Sequence, residues 1–297
     1  MSNTLSFSLS EFNDYKLRST GKFSISGVQI KHLLKLEKNK FVLAEAGSEY
    51  ILKPVPNGAF QHLDQAPANE HLTMQLARQF FGIDTAANAI VFMSDGTPAY
   101  VTKRFDFSPS GKKLIVEDFT QITGLTEETG GTEYKYKYSY EGIAKLISLN
   151  VSASAIELEK YFRITLFNYL FSNGDAHLKN FSLYKNEEYG DYLLTPAYDL
   201  LCTRIHSPYE SDLALDLFDD DFRSEGYKHT SKYGSDDFLE FARRLGIKSE
   251  KAVNILKSYV INSNKVDDLI SRSFLSDELK QKYSDVYKNK LSRLSIT

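Results

Sequence analysis

The chain has 297 residues, against roughly 100–200 for an ordinary domain, so two lobes around one cleft are expected. Apolar residues at 42% and charged residues at 25% exclude a disordered chain, and 16 Gly with 7 Pro exclude a collagen-like or linker protein. The net charge of −3 argues against a direct nucleic-acid partner, and no apolar stretch reaches the roughly 18 residues of a membrane span.

In the first half, Phe23–Lys31 alternates around Gly27 like two short strands meeting at a turn. Lys40–Ala44 and Glu49–Lys53 read as strands, the second closed by Pro54. Pro67–Phe81 carries a helical stripe of Leu72, Leu76, Ala77 and Phe80, with Asn69 as its expected cap and Gly82 as its stop. Asn88–Met93 and Ala99–Phe105 flank a Ser94–Thr97 turn and predict a hairpin. From about Glu117 the period turns helical, with helices expected over Tyr140–Leu149, Ala155–Phe171, Ser235–Leu245, Ser249–Val260 and Asp277–Leu291. One strand pair, Phe181–Tyr184 with Tyr192–Thr195, interrupts them. The expected fold is therefore α+β and two-lobed: residues 1–108 form a strand-rich lobe and 109–297 a mostly helical one. Cys202, the single cysteine, cannot close an internal disulfide. Met1–Phe7 has neither a basic nor an apolar leader, so a cytoplasmic location is expected.

The densest polar cluster is Asn173–Asn180, between an apolar helix and an apolar strand, where catalytic loops tend to sit. Asp175 and Asn180 have the Asp-x4-Asn spacing of a protein-kinase catalytic loop. In that chemistry a carboxylate handles the hydroxyl proton and an amide oxygen ligates magnesium. Asp199, after the strand pair, would complete a metal site with Asn180. The competing reading is a solvated turn followed by a helix-capping aspartate. The chain has no G-x-x-x-x-G-K-[ST] and no G-x-G-x-x-G, which excludes a P-loop and an ordinary kinase glycine loop. Ser24-Ile-Ser-Gly27 is then the candidate phosphate loop. Lys53 either reaches phosphate or faces solvent at a strand end. Glu70 either orients that lysine or serves as a first-turn acid.

The order serine loop, lysine, helix glutamate, hinge, Asp-x4-Asn, strand pair, Asp resembles the HipA family of serine/threonine kinases, the toxins of HipA/HipB-type systems. The residues that carry the resemblance are Ser24–Lys31, Ile51–Pro54, Asn69-Glu70, Arg104–Asp106, Asn173–Ser182 and Pro196–Asp199. It implies a protein-kinase-like fold, ATP and Mg2+ as cofactors, and transfer of the γ-phosphate to a protein hydroxyl. It also implies an aminoacyl-tRNA synthetase as the kind of substrate. Asp175 would be the base, Asn180 and Asp199 would hold the metal, and Lys53 would contact phosphate. Lys103 and Phe105 would meet adenine, and Asp106 the ribose. His177 and Lys179 would shape the loop or neutralise charge. Ser24 and Ser26 would be autophosphorylated, adding about −1.5 to −2 charges beside the ATP phosphates.

Longer members carry a further N-terminal region, so the chain looks like the short HipT kinase of three-gene HipBST systems. Its expected partners are a small protein like the missing N-terminal domain and a helix-turn-helix antitoxin. A small-molecule phosphotransferase and a non-catalytic pseudokinase binding module both remain open on sequence. Tyr134–Tyr140, alternating aromatic and basic, reads as an amphipathic loop or strand or as a contact for a nucleic acid or an acidic substrate surface. The acidic Asp212–Asp221 stretch lacks EF-hand features and is expected to be solvated or substrate-facing, and Lys280–Arg293 to be a solvated face.

Overall fold

The structure, a computed structural model, describes residues 3–20, 31–44, 47–108, 110–188 and 190–294. The chain opens with helix α1 (Leu9–Thr20), which the periodicity did not reveal. Its start is fixed by Ser8 and Glu11, each of which bonds the other's backbone amide. Phe12 is fully buried against the sheet that follows.

That sheet contains β1 (His32–Glu37), β2 (Lys40–Leu43), β3 (Tyr50–Pro54), β4 (Asn88–Phe92) and β5 (Pro98–Lys103), in the order β2-β1-β3-β5-β4, all antiparallel. The expected hairpin is β4–β5, and Gly96 takes the positive φ of 83° that its turn requires. Between β3 and β4 runs α2 (Ala66–Phe80), with Pro67 in its first turn. Asn69 is not its cap. It lies inside the helix, fully buried, and clamps Cys202 through both backbone groups, at 2.9 Å to the carbonyl and 3.0 Å from the amide. A buried amide side chain must satisfy its own donors and acceptor, and here a distant backbone segment does so.

The second half contributes β6 (Val116–Asp118), α3 (Phe119–Thr123), α4 (Glu127–Gly130), α5 (Tyr140–Asn150), α6 (Ser154–Leu170), β7 (Ser182–Lys185) and β8 (Tyr192–Leu194). It ends in α7 (Glu225–Thr230), α8 (Ser235–Arg244), α9 (Ser249–Ile261), α10 (Ser263–Ser271) and α11 (Asp277–Arg293). Strand β6 pairs with the predicted pair to make a three-stranded sheet, β6-β7-β8. Glu117 thus lies in a strand, and only Asp118 starts a helix, as the capping box of α3 with Gln121. Tyr134–Tyr136 is a single 3-10 turn rather than a strand.

Two apolar clusters hold the chain together. The smaller packs α1 on the first sheet through Phe12, Leu34, Leu52, Met93 and Val101. The larger joins α5, α6 and α8–α11, and α2 adds Leu72, Met74, Leu76 and Ala77 to it. Helix α2 therefore belongs by sequence to the strand-rich half and by packing to the helical one. Among the described residues no helix is long and apolar enough to cross a membrane.

Three aspartates of the acidic stretch are held in ion pairs. Asp212 accepts from Arg204, Lys290 and Arg293, Asp219 from Lys145 and Ser139, and Asp220 from Arg244. Asp219 and Asp220 stay exposed as expected, although paired, whereas Asp212 is drawn partly out of solvent by cations that include Lys290 and Arg293 of α11. Lys290 is accordingly buried, not on a solvated face.

Candidate active site

Lys53 ends β3 opposite Tyr100, which turns its side chain inward, and only 3% of the residue is exposed. Its ammonium lies 2.6 Å from Glu70 Oε1, donates also to Asp199 Oδ1, and sits 5.4 Å over the Tyr100 ring. This is no solvent-facing lysine. Burial alone would push the ammonium's pKa down, but the Asp199 and Glu70 carboxylates hold it above its ordinary value. Burial drives Glu70 upward despite Lys53. Asp199, a quarter exposed, is instead held well below the usual carboxylate range, because Lys53 and Lys31 together outweigh its burial. Lys31 stands 3.4 Å from Asp199 Oδ2.

Asp199 has φ of 56°, a left-handed conformation that a non-glycine residue adopts only when its surroundings impose it. Asn173 supplies part of that constraint by donating to the Asp199 carbonyl at 3.2 Å. The rest of the Asn173–Asn180 loop is pinned just as firmly. Asn173 donates to Asn168 at 2.9 Å, Gly174 N–H to Thr203 at 2.8 Å, and Tyr140 O–H to the Ala176 carbonyl at 2.9 Å. The His177 N–H donates to Asn180 Oδ1 at 3.1 Å, and Asn180 Nδ2 reaches Asp199 Oδ2 at 3.4 Å. His177 is buried, which pushes its imidazole below the ordinary value and keeps it neutral. Lys179 is exposed and lies 5.1 Å over the Tyr134 ring.

Asp175 is half-exposed, and three groups meet its Oδ1: the Tyr136 hydroxyl at 2.5 Å, His177 Nε2 at 3.7 Å and Lys135 Nζ at 4.0 Å. A cavity of about 500 Å³ brings together Lys53, Glu70, Asp175, Asn180, Asp199 and Glu210. The amide oxygen of Asn180 and the carboxylate of Asp199 are hard oxygen donors of the kind Mg2+ prefers. The amide oxygen also retains a lone pair beyond its bond to His177 N–H. Among the described residues no cluster of three His, Cys, Asp or Glu forms a metal cage. The site therefore fits an ion whose remaining ligands are phosphate and water, and not one held by protein alone.

The hinge residues lie apart from this cavity. Lys103 and Arg104 line a second space of about 510 Å³ with Ser48 and Phe107. Phe105 packs on Tyr198, with ring centroids 5.4 Å apart. Both Asp106 carboxylate oxygens accept from Arg104, at 2.9 and 2.5 Å. Ser24, Ser26 and Gly27 lie outside the described residues. Tyr136, Lys31 and Glu210 are site residues that spacing did not reveal. Tyr136 belongs to a segment that stood out for its alternation, but nothing in that pattern pairs it with an aspartate 39 residues away.

A five-stranded sheet above a helical region, with lysine, aspartates and asparagine meeting between them, defines a kinase-like fold. The chain is similar to the Helicobacter pylori proinflammatory kinase CtkA, at a TM-score of 0.58 and 15% identity over 88% of this chain and 93% of that one. It belongs to the HipA family: residues 23–266 match the model described as HipA-like C-terminal domain. A Haemophilus influenzae protein named "Putative kinase" is 28% identical over 98% of this chain and 88% of its own length. The Shewanella oneidensis serine/threonine-protein kinase toxin HipA is 29% identical over 68% of this chain and 48% of its own. The structure of Shewanella HipA with HipB and operator DNA matches 92% of this chain and 64% of that one, with a TM-score of 0.68 and 23% identity. The chain thus spans most of the Haemophilus protein but only about half of the named toxin.

Proposed function

We propose that this chain is a HipA-like serine/threonine protein kinase that transfers the γ-phosphate of Mg-ATP to a protein hydroxyl. The observation that carries the reading is the convergence of Lys53, Asp175, Asn180 and Asp199 on one cavity, with Lys53 and Asp199 both charged. Asp175 takes the proton of the acceptor hydroxyl as its oxygen bonds to the γ-phosphorus. The bond from that phosphorus to the β–γ bridging oxygen breaks, and ADP leaves with the electron pair. Lys53 holds phosphate oxygens, with Glu70 keeping its ammonium in place, and Asn180 with Asp199 holds Mg2+. When bound there, the ion would neutralise charge on the phosphates. Phosphoryl transfer needs little more than such positioning and neutralisation.

Lys103 and Phe105 are assigned to adenine. Asp106, which accepts from Arg104 through both oxygens and keeps further lone pairs, is assigned to the ribose. His177 shapes the loop as a neutral ring, and Lys179 offers charge at its rim. Self-modification at Ser24 or Ser26 and an aminoacyl-tRNA synthetase as acceptor are proposed on family grounds, and a cytoplasmic setting on the sequence. Shewanella HipA forms a complex with HipB, which supports an antitoxin partner here, alongside a small N-terminal-domain-like protein. The lobe boundary is assigned to residue 108.

Intact mass after incubation of dephosphorylated protein with Mg-ATP tests the reading, beside Asp175→Ala. The expected result is one or two added phosphates at Ser24 or Ser26, absent from the variant. ATP binding without transfer to any protein, but with turnover on a metabolite, would favour the small-molecule phosphotransferase. Loss of nucleotide binding altogether would leave a pseudokinase binding module.

A further inference from the structure

The Tyr134–Tyr136 turn is unused by the mechanism above, yet it touches the proposed base. The Tyr136 ring stands edge-on to His177, at 5.2 Å and 72°, and the Lys135 ammonium lies 4.9 Å from its centroid. The phenol O–H donates to Asp175 Oδ1 at 2.5 Å. Burial, together with the carboxylate itself, holds the phenol above its ordinary pKa, so it stays a donor at any physiological pH. Lys135 and His177 face the same oxygen. The one hydrogen bond, from Tyr136, holds Oδ1 toward the turn and leaves Oδ2 as the oxygen directed away from it. Asp175 remains 46% exposed in the cavity that holds Lys53 and Asp199.

We infer that Tyr136 is a positioning residue for phosphoryl transfer: by donating to Asp175 Oδ1 it commits Oδ2 to the acceptor hydroxyl. The inference rests on the kinase reading. The acceptor proton then passes to Oδ2 while the acceptor oxygen bonds to phosphorus. Tyr136 keeps its own proton throughout and touches neither nucleotide nor acceptor. Of the alternating aromatic and basic run, Tyr136 alone is given this positioning role.

The test is the rate of self-phosphorylation against Mg-ATP concentration, using dephosphorylated wild type, Tyr136→Phe, Lys135→Met and Asp175→Ala. Tyr136→Phe keeps the ring on His177 and should keep its melting temperature. A lost hydrogen bond to a charged group predicts a maximal rate lower by roughly ten- to a hundredfold, with half-saturating ATP unchanged within about twofold. Lys135→Met, which leaves the phenol in place, should retain at least about half of the wild-type rate. A Tyr136→Phe rate equal to wild type overturns the inference. So does a faster one, because the hydroxyl would then be blocking the acceptor's place. An equal loss in Lys135→Met overturns it too, by assigning the effect to the turn as a whole. Where wild type transfers and Asp175→Ala does not, the kinase reading stands and Tyr136→Phe alone decides. Where neither transfers, both readings fall together.

Discussion

Two lysines in this molecule are buried to the same degree, each 3% exposed, and their surroundings push them in opposite directions. Lys53 in the cleft faces Glu70 and Asp199, and its ammonium is held above its ordinary value. Lys290 on α11 packs 4.2 Å over the Tyr169 ring and lies 2.5 Å from Asp212, yet its pKa is pushed down to about 8. The difference is in how the carboxylates are shared. Lys53 has two of them, and among the described residues only the half-exposed Lys31 competes for Asp199 as a cation. Lys290 has one, already claimed by Arg204 and Arg293. Burial penalises both ammonium groups, and only the first is repaid. A buried lysine is therefore no sign of a site by itself; one with surplus acid around it is prepared to exchange a carboxylate for phosphate.

The largest effect should come from breaking the first arrangement. Lys53→Met leaves Glu70 and Asp199 facing one another without their shared cation. Removing one partner of a buried pair costs about 3–5 kcal/mol. Urea unfolding should show that loss, and Mg-ATP-dependent mass gain should disappear. Glu70→Gln should cost about 1–3 kcal/mol, since Lys53 keeps Asp199 and loses only one charge-assisted bond. The pH dependence has two signs. Asp199, lowered from 3.8, adds stability above that pH which is lost as pH falls through its folded value. Lys53, raised from 10.5, adds stability below that pH which is lost as pH rises through its folded value. In Lys53→Met both contributions should shrink, and a wild-type-like acid limb would show that Lys31 alone sustains Asp199.

A smaller effect should follow at Gly174, which adjoins the proposed base. A Cβ there would lie 2.6 Å from Glu210 Cγ and Cδ and 2.8 Å from Oε2. Burial already pushes Glu210 above its ordinary value. Gly174→Ala should cost about 1–2 kcal/mol, within the usual range for overpacking, and slow transfer about tenfold as the loop shifts. Adding Glu210→Ala should recover most of both losses. A double variant no better than the single would show that the loop backbone, not Glu210, sets the limit.

What was legible in the sequence follows the same division. Apolar period and turn residues located β2–β5 of the first sheet and the helices α2, α5, α6, α8, α9 and α11, because burial of one face writes itself locally. They did not locate β1 or α10. The Asp-x4-Asn spacing and Asp199 were legible because one loop and one strand pair hold them at fixed separations. Helix α1 was not: of its described side chains, Phe12 enters the sheet's core and Leu9 packs beside it, too short a stripe to show a period. The role of Asn69 and the Tyr136–Asp175 bond were hidden for another reason. Each joins residues far apart in sequence through one hydrogen bond, and a bond of that kind leaves no periodic trace. The acidic stretch misled in the same way at Asp212, because Lys290 and Arg293 lie on α11.

The smallest effect is at Lys290, and its sign is the reverse of that at Lys53. Lys290→Met removes an ammonium that burial disfavours, while Asp212 keeps Arg204 and Arg293. Met also retains the unbranched stem that covers Tyr169. The variant should be neutral to about 1 kcal/mol more stable at pH 7, since replacing a buried ionic group by an apolar one of similar volume often is. The pH dependence gives the sharper check. The folded-state pKa of about 8 lies below the ordinary 10.5, so wild-type stability should rise between those two values as the folded protein sheds the proton first. In Lys290→Met that rise should vanish while the Lys53 contribution stays. Urea midpoints at pH 7, 8.5 and 10 would measure it. A variant that loses stability at all three would mean that Lys290 holds Asp212 in place as Lys53 holds Asp199, and the contrast between the two lysines would collapse.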